Sequence, residues 1–210
     1  MRNMKIGIIG AGMIGGTLAH LLAPLGHDVA VSNSRGPASL QGMVAEIGPR
    51  ATAMTVREAA EWADLVVLAV PWRTPEALPP ASAVAGKIVI DAMNPYRAWG
   101  GTFDLGESSS SEETRTRLPG ARLVKAFNTI YFRHLATEGN TSLPEDERRA
   151  IFVAGDDADA KNVVAGLIRD LGFAAVDAGT LRDGVKLQPG AAVYNQQLTG
   201  AEARQRLVEG

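Results

Sequence analysis

The feature that most limits this chain's fold is an apolar run, Ile6-Gly7-Ile8-Ile9, that passes directly into Gly10-Ala11-Gly12-Met13-Ile14-Gly15. The spacing asks for a buried strand, a glycine turn and a helix, in that order. Gly10 permits a tight turn off the strand, Gly12 lets a ligand approach the backbone with no Cβ between them, and Gly15 lets the helix lie close to the sheet. A helix that starts here offers unpaired N–H groups and a positive dipole end, which together suit phosphate. Alone, the same spacing fits an ordinary strand–helix turn. The surroundings favour the stronger reading: Ile14, Leu18, Leu21, Leu22 and Leu25 form a helical stripe, Gly26 stops it, and Val29-Ala30-Val31 begins a second strand. The result is a β-α-β unit of the length that binds a dinucleotide pyrophosphate.

The end of that second strand reads Ser32-Asn33-Ser34-Arg35. A site for NAD usually places Asp or Glu there to accept both ribose hydroxyls. Hydroxyl, amide and guanidinium groups stand in its place, a set that suits a phosphate on the 2′ oxygen, so the expected cofactor is NADP(H). Asp28 is at the wrong end of the strand to meet the ribose.

Strands and helices alternate through the rest of the chain. Helices are expected to about Ile47, from Thr55 (with Glu58 as its capping-box partner), over 74–84, from a Ser110/Glu113 capping box, around Tyr131–Thr137 and over 157–171. Strands are expected at Ala51–Met54, Asp64–Val70, Lys87–Asp91, Ala121–Phe127, Ala150–Ala154 and Ala174–Asp177. Residues 96–110 are rich in Gly and Ser and read as a mobile loop. The pattern predicts an α/β fold: a doubly wound, Rossmann-type, mainly parallel sheet with a short C-terminal extension. Residues 1–180 form the NADP-binding domain, and 181–210 an extension that packs on it or on a partner subunit, ending in a helix capped by Thr199 and Glu202.

Composition narrows the class further. A net charge of −2 over 210 residues gives no reason to expect nucleic acid, and no apolar stretch is long enough for a bilayer span. With no cysteine there is no disulfide, thiolate nucleophile or Cys-ligated metal. A cytoplasmic protein working on a small molecule is expected, with a second copy of the chain as a candidate partner.

In an open parallel sheet, ligands gather outside the carboxyl ends of the strands. Asn33–Arg35, Val70-Pro71-Trp72, Met93-Asn94-Pro95 and Phe127-Asn128-Thr129-Ile130 should therefore converge there. Trp72 either walls the cleft or packs under a loop; Asn94 either meets the cofactor or serves only the turn before Pro95.

The combination of Ile8–Gly16, Ser32–Gly36, Val70-Pro71-Trp72, Val124–Thr129 and Gly155-Asp156-Asp157 resembles the deazaflavin (coenzyme F420)-dependent NADP reductase family, a module also similar to the cytosolic domain of six-transmembrane ferric reductases. The resemblance implies that Gly12, Met13 and Ile14 hold the pyrophosphate and that Ser34 and Arg35 hold the 2′-phosphate. It implies that Pro71, Trp72, Asn128 and Thr129 line the nicotinamide side, and that a hydride passes to or from a deazaflavin or flavin ring. The chain departs from the family at Leu187–Asn195, where a longer helical region normally helps build the second site. Residues 184–195 carry Val185, Leu187, Val193 and Tyr194 among the breakers Gly184, Pro189 and Gly190, so a packed loop is expected: it either borders the acceptor pocket of this chain or of a two-fold partner, where Gln188 and Tyr194 shape it, or lies as a tail pinned to the outside of the sheet.

Other candidates have plainer explanations. Asp156, Asp157 and Asp159 precede a helix, where acids cap N–H groups, and no metal site is expected. His20 and His27 read as structural. Tyr131 and His134 share a helical face just after a strand end; either is a candidate proton donor to a reduced substrate, or part of core or surface. Hydride transfer between stacked rings needs chiefly proximity and orientation, so no side chain is assigned as an indispensable acid or base. Two alternatives accompany the family reading: reduction of a small imine or carbonyl, and an NADPH-binding redox sensor without catalysis.

Overall fold

A computed structural model describes residues 3–209. Eight strands form one sheet: β1 (Lys5–Ile9), β2 (Asp28–Ser32), β3 (Ala51–Ala53), β4 (Leu65–Leu68), β5 (Ile88–Asp91), β6 (Arg122–Ala126), β7 (Ala150–Ala154) and β8 (Ala174–Asp177). Their order is β3-β2-β1-β4-β5-β6-β7-β8, and every neighbouring pair is parallel except β6 and β7. The helices are α1 (Met13–Leu22), α2 (Gln41–Ile47), α3 (Val56–Trp62), α4 (Ala81–Val84), α5 (Ser110–Arg117), α6 (Phe132–Thr137), α7 (Ala158–Asp170) and α8 (Gly200–Glu209).

The central strands are apolar on both faces because each face is covered. Ile6, Ile8, Val67 and Val124 pack into one core with Leu18, Leu22, Val164 and Ile168, while Ile9, Val66, Leu68 and Val89 join Ala59, Ala60 and Val84 in another. A third, smaller core joins Phe152 and Val176 to Leu187, Val193 and Ala203, so the C-terminal segment covers the far end of the sheet.

The structure corrects several boundaries. The expected helix over 74–84 is a 3₁₀ turn at Pro75–Ala77 followed only by the one-turn α4, because Pro79 and Pro80 interrupt it. The capping box of α5 is one residue earlier than expected, Ser109 with Glu112. Four consecutive serines and two glutamates allow either register; the observed one buries Ser110, Ser111 and Thr114. The 184–195 segment, expected as a loop because of its breakers, begins inside a 3₁₀ helix, Arg182–Leu187, with Gly184 buried against Ser109. Within the 96–110 loop, Tyr96 and Thr102 pair as an isolated bridge and the Arg97 N–H donates to the Gly101 carbonyl. The capping boxes at Thr55/Glu58 and Thr199/Glu202 are formed as expected.

Candidate active site

The strand order reverses between β1 and β4, and a cleft of about 750 Å³ opens there. It is lined by Gly10–Gly12, by Asn33, Ser34 and Arg35 after β2, by Ala69, Val70 and Pro71 after β4, and by Val56, Thr74, Glu76 and Ala77. The glycine turn is pinned to its neighbour: Gly10 and Ala11 both donate to the Ser32 carbonyl at 3.0 Å.

The three glycines differ in what requires them. Gly10 has φ of 104°, and a Cβ there would be 2.5 Å from the Ala69 carbonyl oxygen; a Cβ on Gly15 would be 2.0 Å from that of Gly10. The protein's own backbone demands both. Gly12 is different. Its φ is −87° and a Cβ would meet nothing within 4 Å. It is the N-cap of α1, which has no side-chain cap and no acid in its first turn, and it lines the cleft. The first N–H groups of α1 are thus left for an anion, and a bare backbone faces the space that anion would fill. The turn fits a dinucleotide pyrophosphate.

Beyond β2, Asn33 is engaged within its loop: Oδ1 accepts from the Arg35 N–H at 2.9 Å and Nδ2 donates to Ser39 Oγ at 3.0 Å. Ser34 and Arg35 are exposed on the cleft, and the Arg35 guanidinium has no partner among the described residues. Glu76, which the sequence reading did not single out, is the carboxylate among the lining residues.

A second cavity, about 190 Å³, lies on the other side of the glycine turn, where Met13 and Ile14 line it. Ala92, Asn94, Phe127, Asn128, Ile130, Tyr131, Phe132, Tyr194 and Asn195 complete it. Among the described residues, Phe127 (φ 62°) and Asn195 (φ 56°) are the non-glycine residues with left-handed backbones, and both are here. For Phe127 that conformation costs about 1–2 kcal/mol, and such strain gathers at functional sites. Asn128 Oδ1 is buried and has no hydrogen-bond partner. An orphaned acceptor in this cavity suits an amide N–H of a ligand, such as the carboxamide of nicotinamide.

Other residues named from the sequence occupy defined places. Trp72 donates its indole N–H to the Ser110 carbonyl (3.0 Å) and Thr114 Oγ1 (3.2 Å), and its ring packs against Phe103 beneath the 96–110 loop. Pro95 and Thr129 are buried, and the Thr129 carbonyl accepts from the Asn195 N–H. Gln188 accepts from the Ser110 N–H at 2.6 Å, so it ties the C-terminal segment to α5. His134 stacks edgewise on Tyr131 and lies 3.6 Å from Glu138, while Tyr131 lines the cavity directly. His20 bonds the Gly16 carbonyl and His27 accepts from the Met4 N–H, both local structural contacts. Asp156 and Asp157 are occupied by Arg115, Arg122 and the N–H groups of Leu181 and Ala160.

Sequence reasoning missed a buried polar cluster that holds the 92–94 segment. Lys125, fully buried, donates to the Met93 carbonyl at 2.5 Å and to Ser110 Oγ at 3.3 Å, and lies 3.5 Å from Asp91. Asp91 in turn accepts from the Met93 N–H (3.0 Å) and the Ser111 hydroxyl (2.6 Å). Burial pushes the Lys125 ammonium's pKa down, and the neighbouring Asp91 opposes that shift. The one available signal was a lysine flanked by apolar Leu123, Val124 and Ala126 within a strand.

A doubly wound sheet with an uncapped helix N-terminus at its switch point defines a Rossmann-type dinucleotide-binding protein. Residues 5–95 match the family described as NADP oxidoreductase, coenzyme F420-dependent. A crystal structure assigned as an F420-dependent NADP-reductase from Arthrobacter sp. FB24 is 30% identical, covers 85% of this chain and 86% of its own, and superposes with a TM-score of 0.74. A hypothetical protein from Sinorhizobium meliloti is 35% identical over 95% of this chain and 96% of its own, with a TM-score of 0.80. The metalloreductase STEAP3 of Rattus norvegicus is 30% identical over 84% of this chain, which spans only 34% of that protein's length. This chain belongs to the coenzyme F420-dependent NADP oxidoreductase family and is an NADP-dependent oxidoreductase. Among the described residues, no helix is long and apolar enough to cross a membrane.

Proposed function

We propose that the protein holds NADP(H) across the carboxyl ends of its strands and passes a hydride between it and a deazaflavin (coenzyme F420) or flavin-like ring. In this reading Ser34 and Arg35 take the 2′-phosphate, on a loop shaped by Asn33. Gly10, Gly12, Met13 and Ile14 hold the pyrophosphate, with Val70 and Pro71 beside them. When bound, NADPH supplies the hydride from its nicotinamide ring. Asn94 and Asn128 orient that ring in the second cavity, and Trp72, Pro95 and Thr129 hold the segments that carry them. The observation that carries the reading is the position of that cavity, directly beyond the pyrophosphate turn and walled by Met13, Phe127, Tyr131, Phe132 and Tyr194. Flat apolar walls favour a second planar ring stacked on the first, for which positioning supplies most of the rate.

A second reading, reduction of a small imine or carbonyl, draws support from Tyr131, an exposed residue that lines the same cavity and whose hydroxyl has no hydrogen-bond partner among the described residues. Assaying the purified protein with NADPH against deazaflavin, FMN, FAD, ferric chelates and cyclic imines separates the two. Turnover with a ring acceptor, retained in Tyr131→Phe and His134→Ala, is the expected result. Turnover confined to imines or carbonyls, with a loss above roughly 100-fold in kcat in Tyr131→Phe, overturns the first reading in favour of the second.

A further inference from the structure

Four polar side chains link the second cavity to the loops over it, and their hydrogen atoms can be counted. Asn128 Nδ2 donates to the Leu187 carbonyl (2.6 Å) and to Asn94 Oδ1 (3.1 Å). Asn94 Nδ2 donates to the Asn128 carbonyl (2.9 Å) and to Tyr194 Oη (3.2 Å). Backbone carbonyls only accept, so each of the two amides has a fixed orientation. Tyr194 Oη therefore accepts from Asn94, and it lies 2.8 Å from Tyr96 Oη. The two phenols carry two O–H protons and use one of them between themselves. Neither oxygen has another partner among the described residues. One O–H remains.

We propose that Tyr194 carries this surplus O–H and donates it to the hydride acceptor, which selects an acceptor with a carbonyl or ring-imine atom conjugated to the position that receives the hydride. The inference rests on the hydride-transfer reading above. Tyr194 lines the cavity and Tyr96 does not. The 2.8 Å contact allows either phenol to donate; with Tyr96 as the donor and Asn94 donating as well, the Tyr194 oxygen is polarised and its own proton is left to face the cavity. Burial, and after it the contact with Tyr96, push the Tyr194 phenol well above its ordinary pKa, so the group stays protonated. A bound nicotinamide would supply the hydride, whose electron pair would be taken up as negative charge on the carbonyl oxygen or ring nitrogen that Tyr194 faces. The Tyr194 hydrogen bond strengthens with that charge, and water supplies the proton that completes the reduction. Tyr194 touches the acceptor; Tyr96 and Asn94 are positioning residues that act through it.

The test uses the full chain, NADPH and whichever ring acceptor the wild type reduces. Tyr194→Phe is expected to lower kcat roughly 10- to 100-fold with that acceptor and to leave the NADPH Kd within about twofold. Tyr96→Phe removes a donor to Tyr194 but leaves its O–H, so the expected loss is below about fivefold. Wild-type-like turnover in Tyr194→Phe overturns the proposal. A loss in Tyr96→Phe as large as that expected of Tyr194→Phe overturns it too, whether or not Tyr194→Phe folds. A wild type that reduces no ring acceptor removes the hydride-transfer reading and this role with it, whereas an active wild type with an indifferent Tyr194→Phe removes the role alone.

Discussion

Substituting Gly12 by alanine separates what the fold requires from what a ligand requires. A Cβ on Gly12 meets no protein atom within 4 Å, and its φ of −87° suits any residue. The cost to stability is that of alanine replacing glycine at an N-cap, at most about 1 kcal/mol. In a chain of 210 residues that lowers Tm by about 2–4 °C. Gly10→Ala is the matched control. Its Cβ would be 2.5 Å from the Ala69 carbonyl oxygen, at a φ of 104°. Overpacking of about 1–3 kcal/mol and a left-handed penalty of about 1–2 kcal/mol together lower Tm by roughly 4–20 °C. Binding should rank differently from stability. A methyl group at Gly12 keeps the pyrophosphate from the α1 N–H groups, and losing one charge-assisted bond, about 1.5–3 kcal/mol, weakens NADPH roughly 10- to 100-fold. Scanning calorimetry gives Tm, and isothermal titration with NADPH gives Kd. The reasoning is refuted if Gly12→Ala destabilises the fold as much as Gly10→Ala does, or if it binds NADPH within twofold of wild type.

Arg35→Ala should weaken NADPH roughly 10- to 100-fold while NADH affinity barely changes, because the guanidinium has no partner among the described residues to lose; equal losses by titration of both cofactors would remove the 2′-phosphate assignment. Lys125→Met leaves Asp91 charged and buried, which costs about 3–5 kcal/mol and lowers Tm by roughly 6–20 °C. Adding Asp91→Leu should recover part of that loss, and a single variant that melts like wild type contradicts it. His27 is buried, and its Nδ1 accepts the Met4 N–H, as a neutral ring can. Burial holds its pKa below the ordinary 6.5, with Asp170 opposing that shift. The unfolded chain therefore binds more protons between the depressed value and 6.5, so this stabilisation is lost as pH falls below neutrality. Denaturant titrations from about pH 7.5 to 5 should show a shallower slope in His27→Gln than in wild type, and equal slopes would disprove it.

The parts legible in the sequence are those whose cause is local. A glycine turn, a helical stripe, a capping box or an apolar run is specified by residues within a turn or two of one another. The β1–α1–β2 unit, the two capping boxes at Thr55 and Thr199, and the cleft set of Gly10, Gly12, Asn33, Ser34, Arg35, Val70 and Pro71 all came from such patterns. Errors arose where local signals were degenerate. The serine run before α5 permits two registers, and the choice between them is made by Asp91 and Lys125, which bond Ser111 and Ser110 from other strands. The helix expected over 74–84 fails at Pro79 and Pro80, which are themselves a local signal against a continuous helix there.

The acceptor half of the site was harder to read because its residues are far apart in the chain. Asn94 and Tyr194 are 100 residues apart, and Asn128 and Leu187 are 59 apart. No short window contains both members of either pair. The chain order did imply that strand ends converge, which placed Asn94 and Asn128 near one another. Tyr96 belongs to the same network and carried no such signal, being one aromatic in a glycine-rich loop. What brings it to Tyr194 is the C-terminal segment, which is hydrogen-bonded to the strand-end loops at Asn195–Thr129, Leu187–Asn128 and Gln188–Ser110. The core of the dinucleotide cleft, by contrast, comes from short motifs at the ends of neighbouring strands β1, β2 and β4. In the hydride-transfer reading the acceptor half depends on how residues 181–195 cross the sheet edge, so changes there are expected to alter the acceptor without touching the cleft lined by Gly10–Gly12 and Asn33–Arg35.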